Sequence, residues 1–279
     1  MKPPIYSVIR KIMKKIIAVA FLTLCFGSAL YAQDFEKFKI AFKISPNASW
    51  MSPQTQYLEA AGSSIRFGFG ANVDVHFTEN YAIGTGLNID DTGGKVKYFQ
   101  SINRVNSDDK MMSYIVERER DYKIKNIEVP LTLKLRTNEI GYITYWGQFG
   151  VGVGFRQAAR ATDTDRYILE FDDSDGVQDY VESTREFDIY EQIDAKDDVA
   201  DLRASLIIAG GIEYNIAGST SVLVGLTFNN GFTDVLTGSA IEKKENGEPL
   251  RTTEGLSGPS KYKLKSYSNH LGLTVGVLF

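Results

Sequence analysis

The sequence predicts an all-β fold, a transmembrane up-and-down antiparallel β-barrel of eight strands, with ten if the longest loop hides a further pair. Three observations carry the prediction. Eight stretches alternate apolar and polar residues with a period of two. The connections between them alternate strictly between short and long. One face of the stretches is almost continuously Phe, Leu, Ile and Val, while the other mixes glycine with charge.

The chain of 279 residues opens on Lys11, Lys14 and Lys15, followed by the apolar run "IIAVAFLTLCFGSALYA". A basic segment, a short apolar segment and small terminal residues are the form of a secretory leader. Cleavage is expected after Ala32, so residues 1–32 are read as a signal peptide, with Met13 as an alternative start, and residues 33–279 as one domain. Lipoprotein processing at Cys25 is disfavoured because Leu24, just before it, is not small. Removing the leader takes away five of the 31 basic residues, no acid and the single cysteine. The mature chain then has 26 bases against 35 acids, a net charge of −9 instead of −4, and no disulfide or cysteine zinc site. An acidic exported chain is a poor nucleic-acid binder. Beyond the leader no apolar run is long enough for a membrane helix, but a spanning strand needs only about 9–11 residues.

The first strand is "KFKIAFKIS", with Phe38, Ile40, Phe42 and Ile44 opposite Lys39 and Lys43. In the second, "SIRFGFGANVDVHF", apolar residues from Ile65 to Phe77 oppose Arg66, Asn72, Asp74 and His76. The third is "YAIGTGLNID". The fourth, "KNIEVPLTLKLR", sets Ile127 to Leu135 against Glu128, Thr132, Lys134 and Arg136; Pro130 removes a ladder donor, so a bulge or bend is expected there. The fifth, "YITYWGQFGVGVGFR", carries Phe149, Val151, Val153 and Phe155 opposite Gln148, three glycines and Arg156. The sixth, "DLRASLIIAGGIEYNI", opposes Leu202, Leu206 and Ile208 to Arg203, Ser205 and Glu213. The seventh is "SVLVGLTFNNGF" and the eighth the closing "LGLTVGVLF".

Tight turns follow strands two, four and six, while long polar stretches near 46–62, 100–121, 157–200 and 234–264 follow the odd strands. Short periplasmic turns and long outer loops are the outer-membrane pattern. The faces agree. A soluble core enclosing Lys39, Lys43, Arg66, Asp74, Glu128, Lys134, Arg136, Arg203 and Glu213 unpaired would cost several kcal/mol per charge. A barrel lumen lets opposite signs pair, and lipid receives the apolar face. Tyr81, Tyr142, Tyr145 and Tyr214 fall near the short turns, where an aromatic girdle belongs. Phe279 suits a C-terminal insertion signal read by the barrel-assembly machinery. The glycines of "GFGANVD" and "GVGVGF" are read as making room in a narrow lumen.

The stretch "IEVPLTLKLR" at 127–136 resembles the PorT-like outer-membrane β-barrel family through Glu128, Pro130 and Lys134. The Ala-Gln leader end, "GQFGVGVGF" and the terminal Phe are also similar to that family. The resemblance implies a transmembrane barrel without a catalytic motif; one namesake member takes part in protein secretion.

Catalytic chemistry is scarce. His76 falls at the periplasmic end, and His270 with Ser268 lacks an identified acid. In the acidic loop, Asp173, Asp175 and Glu182 match positions 3, 5 and 12 of a calcium loop, but Phe171 stands at position 1, so a solvated loop is the expectation. No catalytic residue and no cofactor is expected. The reading is a non-enzymatic integral outer-membrane protein whose surface loops meet an extracellular ligand or protein partner, with a link to secretion or envelope integrity. Its other partner is outer-membrane lipid. Two alternatives remain open: a soluble exported barrel carrying an apolar ligand, and an outer-membrane lipid-modifying hydrolase.

Overall fold

The computed structural model describes residues 37–105, 111–172, 179–183, 185–241 and 261–279. Twelve strands are present among them: β1 (Phe38–Pro53), β2 (Glu59–His76), β3 (Tyr81–Val105), β4 (Met111–Arg136), β5 (Ile143–Asp172), β6 (Asp179–Glu182), β7 (Phe187–Asp194), β8 (Leu202–Ala217), β9 (Thr220–Gly231), β10 (Ser239–Ile241), β11 (Lys261–Lys263) and β12 (Ser266–Leu278). The expected leader lies outside the described residues.

Eight of these strands close a ring in the order β1-β2-β3-β4-β5-β8-β9-β12, every neighbour antiparallel, with β12 returning to β1. At the seam the Ile40 and Phe279 backbones exchange hydrogen bonds of 3.0 and 2.9 Å. Closure leaves no edge within the ring, which hydrocarbon requires because it offers backbone groups no partner. The two extra strands of the acidic loop are not staves. Above Phe155, where β8 ends, β7 and then β6 pair with the free edge of the long β5. The count in the ring is therefore eight, not ten.

The faces fall as the alternation demands. Phe67, Val151 and Leu273 point outward and expose 66, 44 and 44% of their surface, whereas Lys134 and Glu213 are 2 and 1% exposed inside. The outward apolar belt runs over about nine residues on β3 (Tyr81 to Ile89) and on β12 (Leu271 to Phe279), the length a tilted spanning strand needs. Tyr81, Tyr142, Tyr145 and Tyr214 stand exposed on the rim beside the short turns, with Phe77 against Tyr81 and Tyr142 against Tyr214 at ring separations of 6.1 and 6.2 Å. This polarity is the reverse of that in a soluble carrier of an apolar ligand, whose lumen is greasy.

Two expectations are corrected. Pro130 causes no bulge: it stays in register opposite Gly152, and only the β3 ladder lapses beside it, between Thr85–Leu131 and Asn88–Glu128. The bulge lies four residues away, where Gln157 of β5 has no partner between Lys125 and Asn126. The regions 46–62 and 100–121 are largely strand rather than loop, because β1 to β5 continue well past the apolar belt. The outer segments described are also packed. Met51, Val96, Tyr98, Tyr122, Ile124, Ala159 and Ala161 of the strand extensions form an apolar core with Val199, Val235, Leu236 and Leu264 from the connections. Backbone bonds of 2.8–2.9 Å stitch those connections together, from Ala200 to Val235, Val235 to Ser266, Thr237 to Asp198 and Leu264 to Gly238.

The dipeptide Gly93-Gly94 separates the ionic lumen from this cap. Both residues have left-handed φ values, +130° and +137°, open to glycine. They bring β3 past β2 against β1: the Gly93 N–H donates to Ser49 Oγ at 2.8 Å, and a Cβ on Gly94 would lie 2.7 Å from Trp50 Cα. The buried Ser49 hydroxyl also reaches Asn269 O of β12 at 3.2 Å, tying three staves at the constriction. Lumen glycines do more than make room. A Cβ on Gly150 or Gly211 would stand 2.2 or 2.0 Å from a neighbouring carbonyl oxygen, Leu131 O or Val224 O, so these positions let adjacent strands coil closely.

Candidate functional site

Most of the lumen residues singled out from sequence assemble into paired groups. Toward the short-turn end, Lys134 Nζ lies 2.7 Å from Asp74 Oδ2 and 2.8 Å from Glu213 Oε1, and Arg136 donates to Glu213 Oε2 at 2.6 and 3.0 Å. The Trp146 ring backs Lys134, its centroid 5.4 Å from the ammonium. Lys39 stands across the ladder from Asp74. Higher up, Glu128 Oε2 accepts from Arg203 Nη1 at 2.9 Å and Ser205 Oγ at 3.1 Å, while Asn229 Nδ2 donates to both Glu128 oxygens at 3.2 Å. Arg203 Nη2 also donates to Asn229 Oδ1 and to Ser268 O. Lys43 lines a small mid-lumen space with Asp90, Glu128 and His270. That space is about 20 Å³, room for about one water and no conduit. Arg66 is the member of the set that leaves the lumen group: it donates to Asp121 Oδ1 at 2.6 Å and Tyr122 O at 3.1 Å near the outer constriction.

His76 and His270 are both buried on the lumen face, and Ser268 is wholly covered by the surrounding staves. Of the three residues matched to a calcium loop, Asp173 and Asp175 lie outside the described residues, and Glu182 is exposed at the end of β6.

A second polar site, unforeseen from sequence, sits in the outer extension. The bulge at Gln157 inverts the parity of β5, so Asp163, Asp165 and Tyr167 turn inward there. Arg118 of β4 grips Asp165 with two bonds of 2.6 and 2.7 Å and reaches Gln100 Oε1 at 2.8 Å. Arg120 grips Asp163 with bonds of 2.5 and 2.6 Å and holds Asp198 Oδ2 at 2.5 Å. Asp198 belongs to the short 3₁₀ turn Lys196–Asp198, so this pair fastens the connection before β8 onto the strands. Bidentate arginine–carboxylate pairs are the strong, directional form of ion pair. Beside Arg120 opens a cavity of about 190 Å³ walled by Tyr98, Gln100, Tyr122, Asp197 and Ser239, among others. Burial pushes both phenols above their ordinary pKa, that of Tyr122 well above it, so they stay neutral donors and acceptors.

On β7, Asp188 Oδ2 accepts from Tyr167 at 2.7 Å, Tyr190 at 2.9 Å and Arg185 at 2.6 Å. Burial alone would raise this carboxyl, but those bonds outweigh it and hold it below the usual carboxylate range.

Among solved structures the chain is similar to three outer-membrane proteins at low identity. The attachment invasion locus protein Ail of Yersinia pestis is 11% identical, with 88% of this chain and 100% of that one covered and a TM-score of 0.35. Neisserial surface protein A is 9% identical, with 87 and 97% covered and a TM-score of 0.36. OprG of Pseudomonas aeruginosa is 12% identical, with 85 and 95% covered and a TM-score of 0.34. No curated protein matches the chain. The family model for the outer membrane protein beta-barrel domain matches residues 31–237, most of the chain. With its closed ring, apolar belt and ionic lumen, the protein thus belongs to the outer membrane protein beta-barrel domain family.

Proposed function

We propose that the protein is a non-enzymatic, PorT-like outer-membrane barrel of a Gram-negative bacterium, exported through the Sec pathway, whose folded outer extension binds a ligand or partner. The observation that carries this reading is the division of the molecule at Gly93-Gly94. Below it the lumen carries paired charges, and the space beside Lys43 and Glu128 has room for about one water. Above it, the strands continue into a packed platform with a polar cavity. A plugged lumen argues against transport of solutes through the barrel. The burial of His270 and Ser268 within the staves supports a non-catalytic role. Outer-membrane lipid contacts the belt, and Phe279 closes the seam that the assembly machinery would complete.

The test is topological. Cysteines replace Asp194 on β7 and Glu79 in the short turn between β2 and β3, both exposed. A membrane-impermeant maleimide is expected to label intact cells at position 194 and not at 79. The reverse pattern, or a protein recovered in the soluble periplasmic fraction, overturns the reading.

A further inference from the structure

We propose that the outward face of β4 and β5, just above the apolar belt, is a binding site for the phosphate headgroup of an outer-leaflet lipid, held by Lys123, Lys125 and Arg160. This adds a headgroup chemistry to the apolar contact along the belt, and it rests on the reading that the strand extensions stand outside the cell.

The geometry begins at the top of the belt. Ile127 of β4 lies in the ladder between Ile89 of β3 and Phe155 of β5, and Phe155 exposes 53% of its surface. The next outward residue on β4 is Lys125, two positions or about 7 Å further along the strand. Lys123 follows. The bulge at Gln157 supplies the third cation. It shifts the ladder by one residue, so Ala158 stands opposite Lys125 and Arg160 opposite Lys123. Without the shift Ala159 would meet Lys123, and Arg160 would turn inward. On the other flank the partner of Lys123 is Gly93. Glycine and alanine thus leave an open floor among three long cationic side chains.

Charge is the independent observation. The neighbouring carboxylates are already matched: Asp121 with Arg66 at 2.6 Å, Glu119 with Lys95 at 3.5 Å, Asp194 with Lys196 at 3.2 Å and Asp91 with Lys123 at 3.4 Å. Among the described residues no carboxylate lies within ion-pair distance of Lys125 or Arg160, and Arg160 reaches only the Gln192 amide oxygen, at 3.4 Å. Two cations therefore stay uncompensated where hydrocarbon gives way to headgroups. A phosphate complements both, the guanidinium as a planar fork and the ammonium as a mobile point charge, while acyl chains continue down over Ile127 and Phe155.

The arrangement is local to one sector. On β1 the outward residues that follow Ile44 are Pro46 and Ala48, and on β2 Ser63 lies above Ile65; none is charged. Across the ring, Trp50 stacks on Phe228 with the ring centroids 6.3 Å apart.

The experiment incubates the purified, folded protein in mixed micelles of phosphatidic acid and phosphatidylcholine and counts each lipid retained per protein after gel filtration. A cation near a lipid surface is worth about fivefold, so phosphatidic acid should be retained at least about fivefold over phosphatidylcholine. The double variant Lys125→Gln, Arg160→Gln should bring the two lipids close to equal retention, whereas Lys125→Arg, which keeps the charge, should behave as wild type. Arg166→Gln, which removes an exposed cation higher on the same face of β5, should leave the preference intact. Gel mobility without boiling confirms that each variant is folded. Equal retention by the wild type, a preference that survives the double variant, or an equal loss in Arg166→Gln overturns the proposal. Abolition of the preference by excess inorganic phosphate also overturns it, because the site would then recognise a free anion and not a lipid. Equal retention with position 194 labelled in intact cells sinks the lipid site alone. Labelling there only after the outer membrane is opened sinks the topology on which it rests.

Discussion

Replacing Glu128 with methionine should be among the most damaging single changes in the lumen. The substitution keeps the volume but leaves Arg203, 4% exposed, with neutral partners only, Asn229 and Ser268 O. At 2.9 Å and an effective permittivity near 20, the lost attraction is on the order of 5 kcal/mol. The desolvation of both ions offsets part of it, and removing one member of a buried pair typically costs about 3–5 kcal/mol. Little water can relieve the stranded guanidinium, because the adjoining space holds about one molecule. The expected loss is therefore about 3–5 kcal/mol, read as a shift of the urea midpoint for folding into lipid vesicles and scored by gel mobility without boiling. In the double variant Glu128→Met, Arg203→Met no charge is stranded. Its cost should fall at least about 2 kcal/mol short of the sum of the two single costs. A single-variant cost below about 1 kcal/mol, or simple additivity, would refute the view that the lumen is a dry, paired ionic core.

Gly94→Ala should destabilise by at least about 1–3 kcal/mol from its left-handed φ alone, before relief of the contact with Trp50 Cα; a midpoint equal to wild type would contradict the constriction. Val151→Arg on the belt should cost about 2–4 kcal/mol in a bilayer and far less in the detergent-solubilised protein, a difference read from paired urea titrations. Arg120→Met should free the Lys196–Asp198 turn, seen as faster proteolysis around residues 195–199 while the gel shift of the folded barrel persists. For Asp188, whose folded pKa lies below its unfolded one, the stabilisation of β7 is present above the unfolded value of about 3.9 and is lost as pH falls through the folded value. Hydrogen exchange at Phe187–Asp194, corrected for the intrinsic rate, should thus lose protection in that acidic window, and protection left unchanged by Asp188→Ala at neutral pH would refute the assignment.

The staves were readable because lipid and lumen impose opposite chemistries on alternate residues. Leu131 beside Thr132, or Glu213 between Ile212 and Tyr214, reveals both period and face. Above the belt that contrast disappears. On β4 the outward residues Glu117, Glu119 and Asp121 alternate with the inward Arg118 and Arg120, so both faces are charged and the stretch reads as a polar loop. Only the pairing partners Asp163 and Asp165 distinguish inside from outside, and the bulge at Gln157 puts them on the parity that the lower half of β5 assigns to lipid. The apolar cap was hidden for a related reason. Val199, Val235, Leu236 and Leu264 are scattered through polar segments and form a cluster only after the ring has closed. Pro130 shows the converse, since a missing donor suggested a bulge, yet in a closed ring the strand keeps its register from both sides.

Which face of the staves meets lipid is best decided by nitroxide labels placed singly along β4 from Val129 to Leu135 in vesicles. Loss of the leader would take Cys25 with it and leave no native cysteine to interfere. Leu131 is 58% exposed and its neighbour Thr132 is 5% exposed, so collision with dissolved oxygen should be high at odd positions and low at even ones. An inverted pattern, with Thr132 and Lys134 accessible and Leu131 shielded, or no alternation at all, would contradict a barrel that keeps its ions inside and its apolar residues in the membrane.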